Sequence, residues 1–344
     1  MGPVTRPGSL LPRDSAAVIS VTSRRPARID VLLVLMTIIW GTNYAIVKHA
    51  FRSIDPQAFN AIRLIISSTV FLTIMAAVRR RPVARRAEGS LAGIFYTPSP
   101  ITARDWLSIA GLGIVGQCLY QYCFVAGLAR TSVANAALIA AAAPVLIALA
   151  SAAMGEERIG LGHWLGALLS LGGIYIVVGR DLRVGGSTIR GDVIMFAAVC
   201  CWAIYTLGAR PLMTRHSPVA VTGLSMAIGT LLYVPAVVPH LRAVDWSAVD
   251  WVTWVTIVYS ALFALCVAYT IWYAAVRDIG SARTSVYSNL VPLVAMATAV
   301  LFLGEPLGVR KIAGTAAVLV GVALTRVKTL NPNPEEFSRL AASG

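Results

Sequence analysis

A small set of charged residues lies in or beside otherwise apolar stretches, where an unpaired charge is costly. Arg63 lies well inside one such stretch, and Lys48 and Glu305 lie near the ends of two others. We predict that Glu305 pairs with Lys48 or Arg63, and that Glu156 pairs with Arg210. Charge pairs that form and separate in turn can act as gates, although static ion pairs or side chains that extend to water explain them at least as well.

Polar and aromatic residues inside the same stretches form a second group. Trp40 and Tyr44 are four residues apart, as are Gln117 and Gln121. Each pair therefore shares one face of a helix. Such groups are expected to face the protein interior, where they line a cavity for a small molecule or hydrogen-bond between helices. The predicted cavity residues are Trp40, Asn43, Tyr44, Gln117, Tyr120, Gln121, Asn135, Trp202, Tyr205, Tyr269, Tyr273, Tyr287 and Asn289.

The distribution of titratable residues argues against catalysis. No Asp, Glu or His falls in the middle of an apolar stretch. No nucleophile–base pair or metal-ligand spacing is present either, so we predict no enzyme activity, no metal and no cofactor. A proton relay through buried carboxylates is not expected. The lack of a cavity carboxylate favours a neutral, zwitterionic or weakly anionic ligand, with aromatic compounds among the candidates.

The composition indicates which elements position these residues. Of 344 residues, 57% are hydrophobic and 13% are charged. The charged fraction is about half that of a soluble domain, which excludes a disordered chain, a soluble enzyme and a disulfide-stapled secreted domain. We predict an all-α membrane protein with ten transmembrane helices, each of about 20 residues. They are expected at 31–50, 57–78, 106–127, 132–154, 162–179, 192–212, 218–238, 251–276, 282–303 and 309–326.

The basic residues predict the orientation of these spans. If the N-terminus is cytoplasmic, 19 of the 29 Lys and Arg fall on the cytoplasmic side and 9 on the other. An excess of this kind marks the cytoplasmic side. The net charge of +14 then reports membrane sidedness rather than a nucleic-acid partner. We predict cytoplasmic tails at 1–29 and 327–344, and a location in the bacterial inner (plasma) membrane.

An internal repeat divides the chain into two halves. A shift of 162 places Asp30, Trp40, Lys48, Pro56 and Ala58 on Asp192, Trp202, Arg210, Pro218 and Ala220. Further along, Asp105-Trp106 matches Asp250-Trp251 at 145, and Pro144 matches Pro292 at 148. We predict five-helix repeats at 30–179 and 180–326. Because five is odd, the second repeat is inverted, which is typical of secondary transporters with a site near the midplane.

Two prolines occupy matching places in the two predicted halves. Pro144 lies in the fourth span and Pro292 in the ninth. Proline removes an intrahelical hydrogen bond and kinks a helix, so these positions are candidate hinges. A static kink filled by neighbouring side chains is an alternative interpretation.

The ordered motifs resemble the EamA family of the drug/metabolite transporter superfamily over residues 30–326. They are Trp40-Gly41-Thr42-Asn43 with Lys48, then Arg63, Pro144 with Gly155-Glu156, and Pro292 with Gly304-Glu305-Pro306. The resemblance implies ten helices in two inverted five-helix halves, a central cavity and export of small metabolites, often amino acids or related compounds.

We therefore expect a secondary transporter that moves an amino acid-like or aromatic metabolite across the cytoplasmic membrane by alternating access. Its expected partners are the small-molecule substrate and the lipid bilayer. The alternatives are a multidrug or other metabolite exporter of the same fold, and a channel-like or sensory membrane protein. A channel is expected to carry a filter loop or charged ring, which the sequence does not show.

Overall fold

A computed structural model describes residues 25–80, 92–96, 99–153, 187–279, 290–306 and 308–324, and a few residues within 165–176 and 284–288. Every regular element in these ranges is helical. Six helices are long and apolar enough to span a membrane, and two shorter apolar helices accompany them. The protein is therefore an all-helical membrane protein.

We number the main helices in chain order. They are α1 (Arg25–Ala50), α2 (Pro56–Arg80), α3 (Ala103–Arg130), α4 (Val133–Ala140), α5 (Ala143–Ala153), α6 (Ser187–Met213), α7 (Pro218–Ala236), α8 (Trp251–Tyr259, Ser260–Val267 and Ala268–Ile279), α9 (Val291–Leu303) and α10 (Val309–Leu324).

Helices α3 and α8 share a rare feature. Each changes from α-helix to π-helix in its middle, at Gly113–Leu119 in α3 and Ser260–Val267 in α8. A π-helix bonds i to i+5 and is frequent at functional sites. The two π segments occupy corresponding places, so the two helices have the same internal design.

The beginnings of α3 and α8 correct one repeat match. Thr102 caps α3 by accepting from the amide of Asp105, and Asp250 caps α8 by accepting from the amide of Thr253. By its capping role, Asp250 therefore corresponds in the repeat to Thr102, which lies 148 residues earlier, and not to Asp105 as expected. The sequence match at 145 was wrong because an acid occurs at the cap of one helix and three residues inside the other. The spacing of 148 residues is the same as that between Pro144 and Pro292.

The fourth apolar stretch is two helices rather than one kinked helix. α4 ends at Ala140, and α5 begins at Ala143 with Pro144 as its second residue. Pro292 is likewise the second residue of α9. Proline costs little there because the first N–H groups of a helix have no intrahelical partner. The kink expected at each proline is therefore replaced by a helix start.

Close packing depends on glycines that face side chains of other helices. A Cβ added at Gly116 of α3 would overlap the ring of Tyr205 in α6, and one at Gly41 of α1 would overlap Val294 in α9. Such small residues let membrane helices approach without a hydrophobic driving force. Larger side chains at these positions would separate the helices that enclose the interior.

Positions matched by the first repeat shift contact each other in this interior. The rings of Trp40 and Trp202 are 5.8 Å apart and nearly perpendicular. The hydroxyls of Ser68 and Thr230 are 2.8 Å apart. The first pair joins α1 to α6 and the second joins α2 to α7, so residues matched by the repeat contact each other at two places.

Candidate functional site

A cavity of about 100 Å³ lies between the helices at the middle of the bundle. Its lining is mostly apolar and aromatic with a few polar groups, which is typical of sites for small molecules. Arg63 is the charged residue among the described residues that line it; the other lining residues are Trp40, Asn43, Tyr44, Tyr120, Gln121, Phe124, Ala137, Ala140, Ala141, Ala143, Pro144, Ile147, Met195, Val199, Trp202, Ala264, Leu265, Tyr269, Trp272, Ser288, Val291 and Pro292.

Aromatic rings from α1, α6 and α8 form one wall of the cavity. Trp202 lies 5.4 Å from Tyr269 and 6.1 Å from Trp272, and Trp40 lies 5.5 Å from Trp272. The indole N–H of Trp40 donates to the carbonyl of Ala264 at 3.0 Å. Aromatic pairs at these separations stabilise one another beyond simple burial. This wall is therefore a rigid apolar surface that suits a flat or apolar ligand.

Arg63 places a positive charge at the cavity, in contrast to the apolar aromatic wall. Its side chain is 1% exposed, and its guanidinium donates to Gln121 Oε1 at 2.7 Å and to Ser260 Oγ at 3.0 Å. Asn60, one turn earlier in α2, accepts a third bond at 2.6 Å. These partners are neutral, and none of the ion pairs among the described residues involves Arg63. Within the part of the chain that the structure describes, no carboxylate therefore compensates the cation at the cavity.

Seven of the thirteen predicted cavity residues line this cavity. They are Trp40, Asn43, Tyr44, Tyr120, Gln121, Trp202 and Tyr269. Both predicted hinge prolines and Arg63 line it as well. The lining residues therefore include all three residues predicted on α1 and two of the three predicted on α3.

Three of the other predicted residues meet in a separate buried cluster. The Tyr205 hydroxyl lies 3.0 Å from Ser225 Oγ, and the rings of Tyr205 and Tyr273 are 5.6 Å apart. Gln117 is fully buried beside Gly229 of α7. This cluster lies among α3, α6, α7 and α8 and does not line the cavity.

Three predicted residues remain. Asn135 is buried in the first turn of α4, which Ser132 caps by accepting from the Asn135 amide at 3.1 Å. Tyr287 donates its hydroxyl to Asp30 at 2.7 Å, away from the cavity. Asn289 lies outside the described residues.

Among the described residues, Glu305 makes no direct ion pair with Lys48 or Arg63, although Lys48 and Glu305 lie close enough for their charges to attract each other. Lys48 donates to the carbonyls of Leu128, Ala129 and Thr131, at 2.7, 2.8 and 2.9 Å, where α3 ends. Glu305 accepts from the amide of Val133 at 2.7 Å, where α4 begins. The correction has a physical reason, because helix ends carry unsatisfied backbone groups that bind side-chain charges.

Two features position Glu305. Gly304 ends α9 in a left-handed conformation with a φ of 66°. Glycine adopts this conformation readily at the end of a helix. Lys311 Nζ lies 3.7 Å from the Glu305 carboxylate. We use the name Lys48 end for the end of the bundle at which Lys48 and Glu305 contact the ends of α3 and α4.

The second expected charge pair joins Glu156 to Arg210. Glu156 lies outside the described residues, so the pair falls outside them too. Arg210 is exposed near the end of α6. This pair therefore stays a prediction.

The opposite end of the bundle carries a different set of charges. Asp105 is 1% exposed, and its carboxylate lies 2.5 Å from Arg215 and 3.2 Å from His216. Tyr287 and Asp30 lie at this end as well. We call it the Asp105 end. None of these residues was predicted to act at a gate.

Sequence reasoning missed several contributors to the site. Trp272 lies one turn after Tyr269 and belongs to the aromatic wall, which the spacing could have indicated. Asn60 lies one turn before Arg63 and is also visible from spacing. Ser260 gave no signal, because its contact with Arg63 depends on how α8 crosses α2.

The fold and cavity define a multi-pass helical membrane protein with an interior cavity. Comparison with known proteins agrees with this class. The family model of the EamA-like transporter family matches residues 27–179 and 189–327. The chain therefore belongs to the EamA-like transporter family, and it is a membrane transporter.

Individual relatives cover almost the whole chain. An uncharacterized transporter of Archaeoglobus fulgidus is 23% identical over 85% of this chain and 96% of its own. A probable terminal-alkyne amino-acid exporter of Streptantibioticus cattleyicolor is 24% identical over 88% of this chain and 95% of its own. A solved crystal structure aligns with a TM-score of 0.59 at 20% identity, over 87% of this chain and 96% of that one.

Proposed function

We propose that this protein is a secondary transporter that exports a small amino acid-like or aromatic metabolite by alternating access. The observation that carries the proposal is the central cavity, which combines an aromatic wall with one buried cation. A site of this kind near the midplane is the expected place for a transported substrate. The fold class alone would not suffice, because one fold hosts many functions.

The proposed architecture is ten helices in two inverted five-helix halves, 30–179 and 180–326. Two observations support it. The π segments of α3 and α8 occupy corresponding places, and Thr102 and Asp250 cap these helices in the same way. Trp40 contacts Trp202, and Ser68 contacts Thr230, as expected for positions near a two-fold axis between the halves.

We propose that the Lys48 end is the closed gate of this conformation. Glu305 belongs to the second half and binds the amide end of α4 in the first. Thr131 of the first half donates to Asp192 of the second at 2.5 Å. Rocking of one half against the other would break both contacts. The helix starts at Pro144 and Pro292 then serve as hinges, because each follows a short interruption in its apolar stretch.

The proposed orientation places the Lys48 end outside and both termini, 1–29 and 327–344, in the cytoplasm. The excess of Lys and Arg at the other side of the spans supports it. The membrane is then the bacterial inner membrane. Export is the proposed direction, supported by the name of the relative from Streptantibioticus cattleyicolor.

Reconstitution tests the proposed function. Proteoliposomes are loaded with unlabelled L-phenylalanine, L-tryptophan or benzoate, and the uptake of the same labelled compound is followed as counterflow. We expect saturable counterflow of at least one compound, lost in Trp202→Ala and retained in Trp106→Ala. Trp106 is the matched control because it is 45% exposed and lies outside the cavity.

The same assay separates the alternatives. A channel gives flux that does not saturate and shows no counterflow, and a sensory protein gives no flux, so either result contradicts the proposal. Equal counterflow of many unrelated compounds favours a multidrug exporter of the same fold. Repeating the assay with and without a pH gradient tests the expectation that no buried carboxylate relays protons, which strict proton dependence would contradict.

A further inference from the structure

The distribution of charge around the cavity is strongly asymmetric. Arg63 carries one positive charge, and no Asp, Glu, Lys or His is among the described residues that line the cavity. A buried cation normally has a carboxylate or phosphate partner, because removal from water is costly without one. Here three neutral oxygens bind the guanidinium and the ring of Phe59 lies 5.9 Å from it, but no carboxylate among the described residues compensates the charge.

The guanidinium also has unused donors. Arginine has five N–H groups. Nη2 makes two hydrogen bonds and Nη1 makes one, while Nε has no partner although it is buried. The Nδ2 amide of the neighbouring Asn60 is also buried without a partner. An unpaired buried donor at a cavity requires an explanation, and a ligand that supplies the acceptor is one.

From these observations we infer that Arg63 binds the carboxylate of the transported substrate. The substrate is then a small carboxylate with an apolar or aromatic body, whose charge is compensated by Arg63 and whose body packs on Trp40, Trp202 and Tyr269. This inference rests on the proposed function and adds the substrate class and the residue that recognises it.

The neighbours of Arg63 hold its position rather than compensate its charge. Gln121 Oε1 and Ser260 Oγ bind the guanidinium from α3 and α8, and Ser260 in turn donates to Asn43 Oδ1 at 2.7 Å. Three helices therefore fix the position of one cation. A carboxylate bound there links α2, α3 and α8 through one ionic contact, so substrate occupancy is communicated to the π-helical segment of α8.

Calorimetric titration of the full purified chain in lipid nanodiscs tests the inference. The probes are two matched pairs, 3-phenylpropionate with 3-phenylpropionamide and L-phenylalanine with L-phenylalaninamide. A charge-assisted hydrogen bond corresponds to an affinity ratio of about tenfold or more. We expect the carboxylate of at least one pair to bind about tenfold more tightly than its amide, and 3-phenylpropionate to bind more weakly as acid protonates it.

Variants assign the preference to Arg63. Arg63→Gln is expected to abolish the ratio, Arg63→Lys to retain part of it, and Arg104→Gln, at an exposed position outside the cavity, to leave it unchanged. Equal affinities within both pairs, or a ratio that persists in Arg63→Gln, would overturn the inference. The acid titration of the unmodified protein tests the carboxylate preference even if Arg63→Gln does not fold.

The outcome is separable from that of the proposed function. Calorimetry requires binding alone, whereas counterflow requires movement. A protein that binds the carboxylates but moves nothing contradicts the proposed transport and retains this inference. A protein that moves substrates without any preference for a carboxylate retains the transport and removes Arg63 from recognition.

Discussion

The two ends of the bundle are held together by different chemistry. At the Lys48 end, side-chain charges bind backbone groups at helix ends: Lys48 of α1 binds three carbonyls at the end of α3, and Glu305, after α9, binds an amide at the beginning of α4. At the Asp105 end, side chains bind side chains, and Arg215 in its pair with Asp105 is 53% exposed. Contacts with a fixed backbone cost less side-chain entropy, so the Lys48 end is expected to be the stronger one.

The largest effect is expected for Lys48→Met. Three hydrogen bonds from a charged donor are lost at a half-buried site, so the free energy of unfolding should fall by about 2–3 kcal/mol. Titration with SDS in mixed micelles measures it. Lys311→Met is the matched control, because its ammonium lies 3.7 Å from Glu305 and makes a weaker contact. Equal losses for the two variants would show that backbone contacts give no advantage.

A smaller effect is expected for Glu305→Gln. The variant keeps a hydrogen-bond acceptor for Val133. It removes the negative charge at the beginning of α4, which costs about 1 kcal/mol. If the Lys48 end is the gate, labelling of a cysteine placed at Phe124 by a water-soluble maleimide should become faster. Unchanged labelling, with the expected loss of stability, would assign Glu305 a structural role only.

A still smaller effect is expected for Arg215→Gln at the Asp105 end. An ion pair with one exposed partner contributes about 0.2–1 kcal/mol and is screened by salt. We expect the loss to disappear in high salt, whereas the loss in Lys48→Met should persist. A double-mutant cycle with Asp105→Asn isolates the pair. A salt-independent coupling would make the two ends alike.

The smallest effect concerns Asp250, which caps α8 beside the Lys48 end. Hydrogen bonds from the side chain and the amide of Thr253 lower the pKa of the Asp250 carboxyl below its usual range. A depressed pKa stabilises the folded state above the unfolded pKa of about 4, and this contribution is lost as pH falls through the folded value. The melting temperature of Asp250→Asn should therefore depend less on pH below about 4 than that of the unmodified protein. Parallel curves would contradict this.

The sequence predicted the helical membrane fold and several of the residues that line the cavity, because both depend on local patterns. Trp40 and Tyr44 share a face of α1, and their polar groups favour turning that face inward. Gln117 and Gln121 were expected to share a face in the same way, but the π segment Gly113–Leu119 changes the helical period between them. Gln121 therefore reaches the cavity, whereas Gln117 lies against α7.

The charged residues show a second reason why contacts could not be predicted from the sequence. Opposite charges in the sequence suggested ion pairs, yet Lys48 and Glu305 bind the ends of α3 and α4. The predicted spans 106–127 and 132–154 already placed a break around Thr131. The sequence does not show that the unpaired carbonyls and amides at this break bind Lys48 and Glu305. The position of Arg63 could be predicted, but two of its three partners come from distant helices.

The contact between Trp40 and Trp202 has a consequence for orientation. A cavity around a two-fold axis would present the same groups twice, and a ligand could then enter in two equivalent poses. The repeat shift that matches the tryptophans places Arg63 on Ser225, whose hydroxyl contacts Tyr205 instead of the cavity. The two tryptophans remain matched while the arginine has no counterpart. The two sides of the cavity therefore differ in charge, and a bound molecule with one charged end has one favoured orientation.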